Sequence, residues 1–504
     1  MIWGNLKITS KVMQQGGKLH PVMLAGTGSD VGKSILATAL CRIFRQDGYT
    51  PAPFKAQNMA LNSAVTPDGG EIGRAQAVQA EAAGVSPHTD MNPLLLKPNS
   101  DHTSQVVLNG RPIGNRSAYD YWRNTGELRA SVTAAFDRLA EQYNPIVMEG
   151  AGSITELNLR DTDLVNMSMA RHADADVILV GDIDRGGVFA SVYGSIALQT
   201  PEDRRRIKGI IINKFRGDLR LFDKGRQMLE ELCGVPVLGV VPYFTDIHIE
   251  EEDSVALAQK NRTWAGDRKV NVAVVMLRHL SNYTDFNVLE QDERINLFYT
   301  SNVDDLLKSD IIIVPGTKAT LSDLYELRRN GCAQAIVRAH REGASVLGIC
   351  GGYQMLGMEV RDPLHVEGDT ERLPGLGLLP VTTTMTAEKT TRQVTMDNGW
   401  QGYEIHQGVT EPTDGAEEHP FTVFSDGRTD GYVSSERCMG TYIHGILDNP
   451  AFVERLLKPF ADKLSAASQP MDYQAFKEQQ YDLLADHVRK YVDIPQLYKI
   501  LQDS

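Results

Sequence analysis

Short apolar runs alternate with helix-like stretches along the first half of this chain. Residues 33–47 place apolar side chains at helical spacing, whereas the runs around them are continuous and rich in β-branched residues. These runs occupy residues 20–25, 145–148, 177–180, 207–212 and 235–241. Continuous apolar strands separated by helices are typical of a parallel sheet covered on both faces. The pattern therefore predicts an α/β fold.

The alternation stops in an acidic, irregular stretch after Pro242 and then begins again. The later runs occupy residues 270–277, 310–314 and 345–349, followed by a region rich in strands and turns at 376–440. An amphipathic helical pattern follows Pro450. The predicted divisions are an N-terminal extension at 1–19, a first domain at 20–248, a linker at 249–269, a second α/β domain at 270–452 and a helical tail at 453–504.

Composition excludes several functional classes. A net charge of −14 over 504 residues disfavours nucleic acid and anionic membranes as partners, because both are bound through basic surfaces. No apolar run approaches the roughly 20 residues that span a bilayer. The five cysteines are scattered without paired spacing, which favours a reducing, cytoplasmic location over disulfides or zinc. Homo-oligomerisation stays open.

A glycine-rich loop, GTGSDVGKS at residues 26–34, lies between a predicted strand and a predicted helix. In that context the loop amides around Gly28 and Gly32 cradle phosphates, Lys33 reaches the outer phosphates and the Ser34 hydroxyl can ligate Mg²⁺. We therefore expect a nucleotide site. A switch ATPase is the competing interpretation, but its loop carries a lysine where this chain has Thr27.

Polar residues follow other predicted strands at the edge where ligands of parallel sheets bind. Glu149 ends one strand and can hold Mg²⁺, although a strand-end acid can also simply cap the next element. Glu156 follows in a loop and is a candidate contact for substrate or phosphate. Asn213 ends another strand, where its amide can contact the nucleotide.

Cys350 lies in the sequence VLGICGGYQ at residues 346–354, an apolar strand that enters a glycine-flanked turn before a helical pattern. Such a turn presents a nucleophile clear of the sheet, beside backbone amides, such as that of Gly351, that can stabilise an oxyanion. A buried core cysteine is the alternative. A thiol nucleophile also needs a base, and His444 is favoured over His406 because it ends a short strand beside a glycine.

These motifs resemble two known families. GICGG with a late Tyr-x-His-Gly resembles the class I glutamine amidotransferases, which release ammonia from glutamine through a cysteinyl thioester, and in which a glycine equivalent to Gly316 helps form the oxyanion hole. The loop at 26–34 resembles that of dethiobiotin synthetase, which uses ATP to activate a carboxyl or carbamate group. Most members of the amidotransferase class carry a glutamate where this chain has Ile446, so the resemblance implies a Cys–His pair. Glu404 is a possible orienting acid.

Together the two halves resemble the cobyrinic acid amidating family over about residues 20 to 450. The resemblance implies a P-loop parallel-sheet synthetase domain followed by a class I glutamine amidotransferase-like domain, with ATP, Mg²⁺ and glutamine as reactants. Motifs at residues 54–63, 71–76 and 213–218 match the branch that amidates the b, d, e and g side chains of adenosylcobyrinic acid a,c-diamide. They make a set of residues candidate contacts of substrate or phosphate: Lys55, Gln57, Asn58 and Arg74. A non-catalytic ATPase with a relict glutaminase is the alternative from another class.

Overall fold

The computed structural model describes residues 17–98, 103–117, 121, 125–250, 252, 260, 264, 269–464 and 471–503. Two six-stranded sheets, one in each half of the chain, organise these residues. The predicted extension at 1–19 and the predicted linker at 249–269 fall largely outside them. Both sheets are mainly parallel, as the continuous apolar runs predict.

The elements of the first half follow in chain order. Its strands are β1 (Val22–Gly26), β2 (Ala52–Phe54), β3 (Gln57–Met59), β4 (Ser63–Val65), β5 (Glu71–Gly73), β6 (Leu94–Pro98), β7 (Thr103–Leu108), β8 (Arg111–Ser117), β9 (Ile146–Glu149), β10 (Asp176–Asp182), β11 (Ile207–Phe215) and β12 (Val237–Pro242). Its helices are α1 (Lys33–Gln46), α2 (Arg74–Ala83), α3 (Thr125–Gln142), α4 (Met167–His172), α5 (Val188–Ala197), α6 (Pro201–Arg206) and α7 (Asp223–Cys233).

The central sheet of the first half has the order β12-β11-β10-β1-β9-β2, with every neighbouring pair parallel. Strand β1 lies between β9 and β10, and Leu24 pairs with Glu149. Because the carboxyl ends of parallel strands share one edge, the glycine-rich loop after β1 meets Glu149 there. A smaller sheet, β3-β6-β7-β8, and the hairpin β4-β5 stand beside it.

The second half follows the same plan. Its strands are β13 (Val270–Val275), β14 (Ile295–Thr300), β15 (Ile311–Val314), β16 (Ser345–Ile349), β17 (Glu359–Arg361), β18 (Arg372–Pro374), β19 (Val381–Thr395), β20 (Gln401–Pro412), β21 (Thr422–Val423), β22 (Thr429–Asp430), β23 (Tyr432–Ser435), β24 (Cys438–Thr441) and β25 (Ile443–His444). Its helices are α8 (Asn287–Gln291), α9 (Val303–Leu307), α10 (Thr320–Arg329), α11 (Cys332–Arg341), α12 (Gly351–Leu356) and α13 (Pro450–Leu457).

The main sheet of the second half has the order β14-β13-β15-β16-β24-β23, and only the edge strand β23 is antiparallel. Ile349 at the end of β16 pairs with Thr441 at the end of β24. Since Cys350 and His444 follow those two residues closely, adjacent strands bring them together. A second sheet, β18-β17-β19-β20-β25, carries the long β19-β20 ribbon toward the first half.

The predicted C-terminal tail divides in the structure. Helix α13 packs into the core of the second half, whereas α14 (Tyr473–Tyr491) and α15 (Ile494–Asp503) return to the first half. There Leu484 and Tyr498 join the core that covers α1. Arg42 on α1 donates hydrogen bonds to Asp482 at 2.7 Å and to Glu478 at 2.8 Å. The last two helices are therefore part of the layer that supports the glycine-rich loop.

Among the described helices, none combines the length and the apolar character that crossing a membrane requires.

The neighbouring leucines of α14 test this packing. Leu484 is fully buried against the first half, whereas Leu483 is 40% exposed. We expect Leu484→Ala to destabilise the first half by about 2–5 kcal/mol, because it leaves a cavity, and Leu483→Ala to change stability by less than about 0.5 kcal/mol. The difference is measured by titrating each variant with denaturant and using proteolysis of the first half to report its unfolding. Equal midpoints for the two variants would contradict the packing described.

Candidate active sites

The glycine-rich loop has the geometry of a phosphate loop. Lys33 Nζ donates to the carbonyl oxygens of Gly28 at 2.9 Å and Gly152 at 3.1 Å, so its ammonium group curls over the loop. Gly32 has φ 94°, and a Cβ there would lie 2.1 Å from the Asn213 amide nitrogen. Only glycine satisfies both the backbone angle and the contact. A Cβ on Gly26 would lie 2.8 Å from the Gly28 carbonyl oxygen, so this position also lacks room for a side chain.

Glu149 is the centre of a buried polar cluster beside the loop. Its Oε1 accepts hydrogen bonds from Ser34 Oγ and Lys55 Nζ, both at 2.8 Å, and its Oε2 accepts one from Gln79 Nε2 at 2.8 Å. Burial alone would raise the pKa of Glu149, but the Lys55 ammonium group and these hydrogen bonds hold it below the usual range. Glu149 therefore stays ionised. A serine hydroxyl beside a carboxylate is an oxygen donor set of the kind that Mg²⁺ prefers.

A cavity of about 1060 Å³ opens from this cluster, and most of the predicted binding residues line it. They are Gly32, Lys33, Ser34, Lys55, Gln57, Asn58, Glu149, Glu156 and Asn213. Some of them also have structural partners: Asn213 Nδ2 donates to the Val31 carbonyl at 2.9 Å, and Gln57 accepts a hydrogen bond from Tyr121 at 2.5 Å. The cavity is at the upper end of the usual size of ligand sites.

Sequence reasoning missed one residue of this cavity, Glu252. It accepts hydrogen bonds from Asn58 Nδ2 at 2.7 Å and from the Ala75 amide at 3.3 Å. Burial raises the pKa of Glu252 to about 7, although Lys55 and these hydrogen bonds oppose the rise. The residue belongs to the acidic run that the sequence pattern assigns to a linker, and acidic runs are usually solvated. A carboxyl group that titrates near neutrality can exchange protons with a ligand.

Cys350 adopts the conformation of a nucleophile elbow. Its φ and ψ are 52° and −112°, a combination that residues with a side chain rarely adopt. A Cβ on Gly352 would lie 1.8 Å from the Val314 carbonyl oxygen, so the turn depends on that glycine. The Cys350 amide donates to the Thr441 carbonyl at 2.8 Å, which fixes the turn to β24.

His444 is paired with Cys350 and with an acid that sequence reasoning missed. Its Nδ1 lies 2.6 Å from Asp285 Oδ2, and the neighbouring amide of Gly445 donates to Asp285 Oδ1 at 3.1 Å. Burial alone would lower the pKa of His444, but Asp285 and the hydrogen-bonded Cys350 raise it to about 10. The imidazole therefore readily holds a proton taken from the Cys350 thiol and can deliver it to a leaving group. Ile446 stands where the sequence pattern looks for an acid, and in the structure Asp285 contacts His444 instead.

The other candidates near Cys350 have different partners. Glu404 contacts Arg392 and lies 3.7 Å from His406, so its described contacts are not with His444. His406 lines the Cys350 pocket, where its ring stacks on Tyr442 with 3.7 Å between centroids. Its carboxylate neighbour Glu404 lies 3.7 Å away, farther than the 2.6 Å between His444 and Asp285.

The two glycines predicted for the oxyanion hole lie in crowded positions beside this pair. A Cβ on Gly316 would approach the His444 ring to 3.1 Å, and one on Gly351 would approach Thr317 to 2.7 Å. A side chain at either position would displace a neighbour, the His444 ring at Gly316 and Thr317 at Gly351. The role of both glycines as oxyanion donors stays a prediction.

One short segment of the second half connects the two sites. Asn282 lines the Cys350 pocket and Tyr283 lines the large cavity, although the two residues are consecutive. The first half holds both: the Ser63 amide donates to Asn282 Oδ1 at 3.1 Å, and the Tyr283 amide donates to Asn62 Oδ1 at 3.0 Å. The same segment ends in Asp285. The Cys350 pocket and the nucleotide cavity thus share a wall.

Comparison with known proteins finds a matching family for each half of the chain. Residues 22–255 match the CobQ/CobB/MinD/ParA nucleotide binding domain, and residues 271–452 match the CobB/CobQ-like glutamine amidotransferase domain. The cobyric acid synthase of Bacteroides fragilis is 70% identical over 96% of this chain and 99% of its own length. Those of Phocaeicola vulgatus and Citrobacter koseri are 67% and 46% identical, over 96% and 95% of this chain and 99% and 98% of their own. The predicted two-domain α/β fold is confirmed, and the chain belongs to the cobyric acid synthase family.

Proposed function

We propose that this chain is an ATP-using, glutamine-dependent amidoligase that converts the b, d, e and g carboxylates of adenosylcobyrinic acid a,c-diamide to amides. Membership of the cobyric acid synthase family supports an amidation in cobalamin biosynthesis. The single arrangement that carries the proposal is the wall that the Cys350 pocket shares with the nucleotide cavity. A thiol site and a phosphate loop in contact can pass ammonia to an activated carboxylate.

In the glutaminase reaction, His444 takes the proton of the Cys350 thiol, and the resulting thiolate attacks the carboxamide carbon of glutamine. The protonated His444, held by Asp285, gives its proton to the amide nitrogen, which leaves as ammonia, and a thioester remains. His444 then removes a proton from water, and the hydroxide attacks the thioester and releases glutamate. His444 returns the proton to the departing Cys350 sulfur, which restores the thiol. Backbone amides at Gly316 and Gly351 would stabilise the oxyanion that forms in each step.

In the synthetase reaction, a carboxylate of the corrinoid attacks the γ-phosphorus of ATP, and ADP leaves. Ammonia attacks the resulting acyl phosphate and displaces phosphate, so each amide consumes one ATP and one glutamine. Lys33 would neutralise the outer phosphates and Lys55 the carboxylate that is activated. Ser34 and Glu149 would hold Mg²⁺, which offsets phosphate charge when it is bound.

The remaining assignments are proposals of the same kind. Gln57, Asn58 and Glu156 are proposed contacts of substrate or phosphate, and Asn213 of the nucleotide, because all of them line the cavity. The domain boundaries predicted from the sequence are proposed with one change: α14 and α15 belong with the first domain, against which they pack.

All five cysteines are unpaired, which supports a reducing, cytoplasmic location. The proposed partners are small molecules, and the oligomeric state is unassigned.

The first prediction separates the two nitrogen sources. We expect Cys350→Ser to lower glutamine-dependent amidation by at least about 10⁴-fold, because it removes the thiolate nucleophile, whereas added ammonium still supports amidation. Mass spectrometry of the corrinoid after incubation with ATP, Mg²⁺ and either nitrogen source measures both. Each of the four amidations replaces a hydroxyl group by an amine and lowers the mass of the corrinoid by about one unit. Loss of activity with both sources would contradict the assignment of Cys350.

The second prediction concerns the phosphate loop. We expect Lys33→Ala to lower ATP-dependent amidation with either nitrogen source by roughly 10²- to 10³-fold, because charge on the transferred phosphoryl group loses its nearest cation. Glutamine hydrolysis at saturating glutamine serves as the folding control. Normal amidation by the Lys33 variant would remove the loop from the mechanism.

The third prediction tests the acid found in the structure. We expect Asp285→Asn to lower the glutaminase kcat by roughly 10²- to 10⁴-fold, because the imidazole loses the carboxylate that orients and charges it. Glu404→Gln is the matched control, since that buried carboxylate contacts His406 and Arg392 instead. Release of glutamate from glutamine measures both.

The two histidines give a companion comparison. We expect His444→Ala to abolish glutaminase turnover and His406→Ala to leave most of it. The reverse result would exchange the roles of His444 and His406.

A further inference from the structure

Arg74, predicted from the sequence as a contact of substrate or phosphate, has its described contacts at the boundary between the two halves. Its Nη2 donates a hydrogen bond to the Tyr403 hydroxyl at 2.5 Å, and the guanidinium carbon lies 5.5 Å from the centre of the Tyr403 ring. Its Nη1 lies 3.8 Å from Glu250. The side chain is 12% exposed. The first residue of α2 therefore reaches across to the long ribbon of the second half.

Tyr403 transmits this contact to the proposed base. Residues Tyr403 and His444 face each other in the antiparallel pair β20-β25. Their rings are stacked, with centroids 5.3 Å apart and an angle of 19° between planes. Asp285 fixes the Nδ1 end of the imidazole, and the tyrosine ring covers one of its faces. The hydrogen bond with Asp285 therefore fixes one edge of the imidazole, and stacking on Tyr403 fixes the orientation of the ring plane.

The same helix also contacts the nucleotide site. Gln79, five positions after Arg74 on α2, donates to Glu149 Oε2 at 2.8 Å, and the Ala75 amide donates to Glu252. A helix rises about 1.5 Å per residue, so these contacts lie within about 8 Å along one rigid rod. Helix α2 thus links the acid beside the phosphate loop to the residue that holds Tyr403.

We infer that Arg74 is a positioning residue for the glutaminase reaction, and that it acts through Tyr403 on the plane of the His444 ring. The first half thereby completes the active site of the second. This inference rests on the proposed function, since it concerns the same glutaminase site. A displacement of a catalytic group by about 1 Å can cost roughly 10²-fold in rate, so the loss of a plane-fixing contact has a measurable effect.

The experiment compares variants of the full-length chain in two assays: glutamate release from glutamine, and amidation of the corrinoid supported by ammonium. We expect Tyr403→Leu to lower the glutaminase kcat by roughly 10- to 100-fold and Arg74→Ala by about 10-fold, with KM for glutamine changed by less than about twofold. Amidation with ammonium is expected to stay at the wild-type rate in both. Arg392→Ala, which removes another arginine of the same ribbon, is the control and is expected to retain glutaminase kcat.

A double-mutant cycle identifies the route of the effect. Arg74→Ala and Tyr403→Phe each remove the same hydrogen bond, so the combined variant is expected to lose no more kcat than Arg74→Ala alone. Arg74→Lys, which keeps a donor and the charge, is expected to recover part of the loss. Tyr403→Phe retains the shape of the ring, so the cycle remains informative if Tyr403→Leu fails to fold.

Three results would overturn the inference. One is an unchanged glutaminase kcat in both Arg74→Ala and Tyr403→Leu. Another is full additivity of Arg74→Ala and Tyr403→Phe. The third is loss of ammonium-supported amidation in Arg74→Ala with normal glutaminase, which would make Arg74 a substrate contact. A wild-type chain without glutaminase activity would instead contradict the proposed function itself.

Discussion

The buried pair of Asp285 and His444 is the interaction on which the arrangement of this molecule depends. Both carboxylate oxygens of Asp285 are used, one by the imidazole and one by the Gly445 amide. A buried charge that loses its partner costs about 3–5 kcal/mol, so the carboxylate and the imidazole must stay together. Asp285 stands at the end of the segment that Asn62 and Ser63 of the first half hold in place. The geometry of a site in one half is therefore fixed by the docking of the other.

The same boundary contains a second buried charge cluster. Glu71 on β5 lies 2.6 Å from Lys97 and 2.5 Å from Lys389 of the ribbon β19-β20. Burial alone would raise the pKa of Glu71, but the Lys389 and Lys97 ammonium groups hold it well below its usual range. Lys97 and Lys389 both line the Cys350 pocket. Paired charges of this kind favour one docking arrangement, because a shifted ribbon would leave a carboxylate or an ammonium group buried alone.

The parts of the sites that the sequence predicts are those with local signals. The phosphate loop depends on Gly32 and Lys33 within one turn, and the elbow depends on glycines beside Cys350, so spacing alone identifies both. Asp285 has no such signal, since it lies 159 positions from His444 and in a short 3₁₀ turn. The rule of the amidotransferase class looks two positions after the histidine, where Ile446 stands. The fold class can be predicted from the periodicity of apolar residues, whereas the partners of Asp285 depend on how the two halves of the chain pack together.

Sequence reasoning missed Glu252 and expected a ligand contact at Arg74 for the same physical reason. An acidic run beside an irregular stretch resembles a solvated linker, and nothing in its periodicity reveals that Asn58 and the Ala75 amide enclose one carboxylate. Arg74 belongs to a polar motif that suggests ligand binding, yet its described partners come from the second half. Polar contacts between residues far apart in the sequence leave no periodic pattern, so they are found only from the three-dimensional structure.

Neither half has a complete site, and this has a chemical consequence. Lys97 of the first half lines the thiol pocket, and Tyr283 of the second half lines the nucleotide cavity. On the proposed function, ammonia that leaves Cys350 would be released beside Asn282, and the next residue, Tyr283, lines the cavity proposed for the activated carboxylate. A short passage limits the time in which water can protonate ammonia, and ammonium is no nucleophile. On the proposed function, the docked boundary would therefore both orient the base that makes ammonia and shorten the distance over which ammonia must survive.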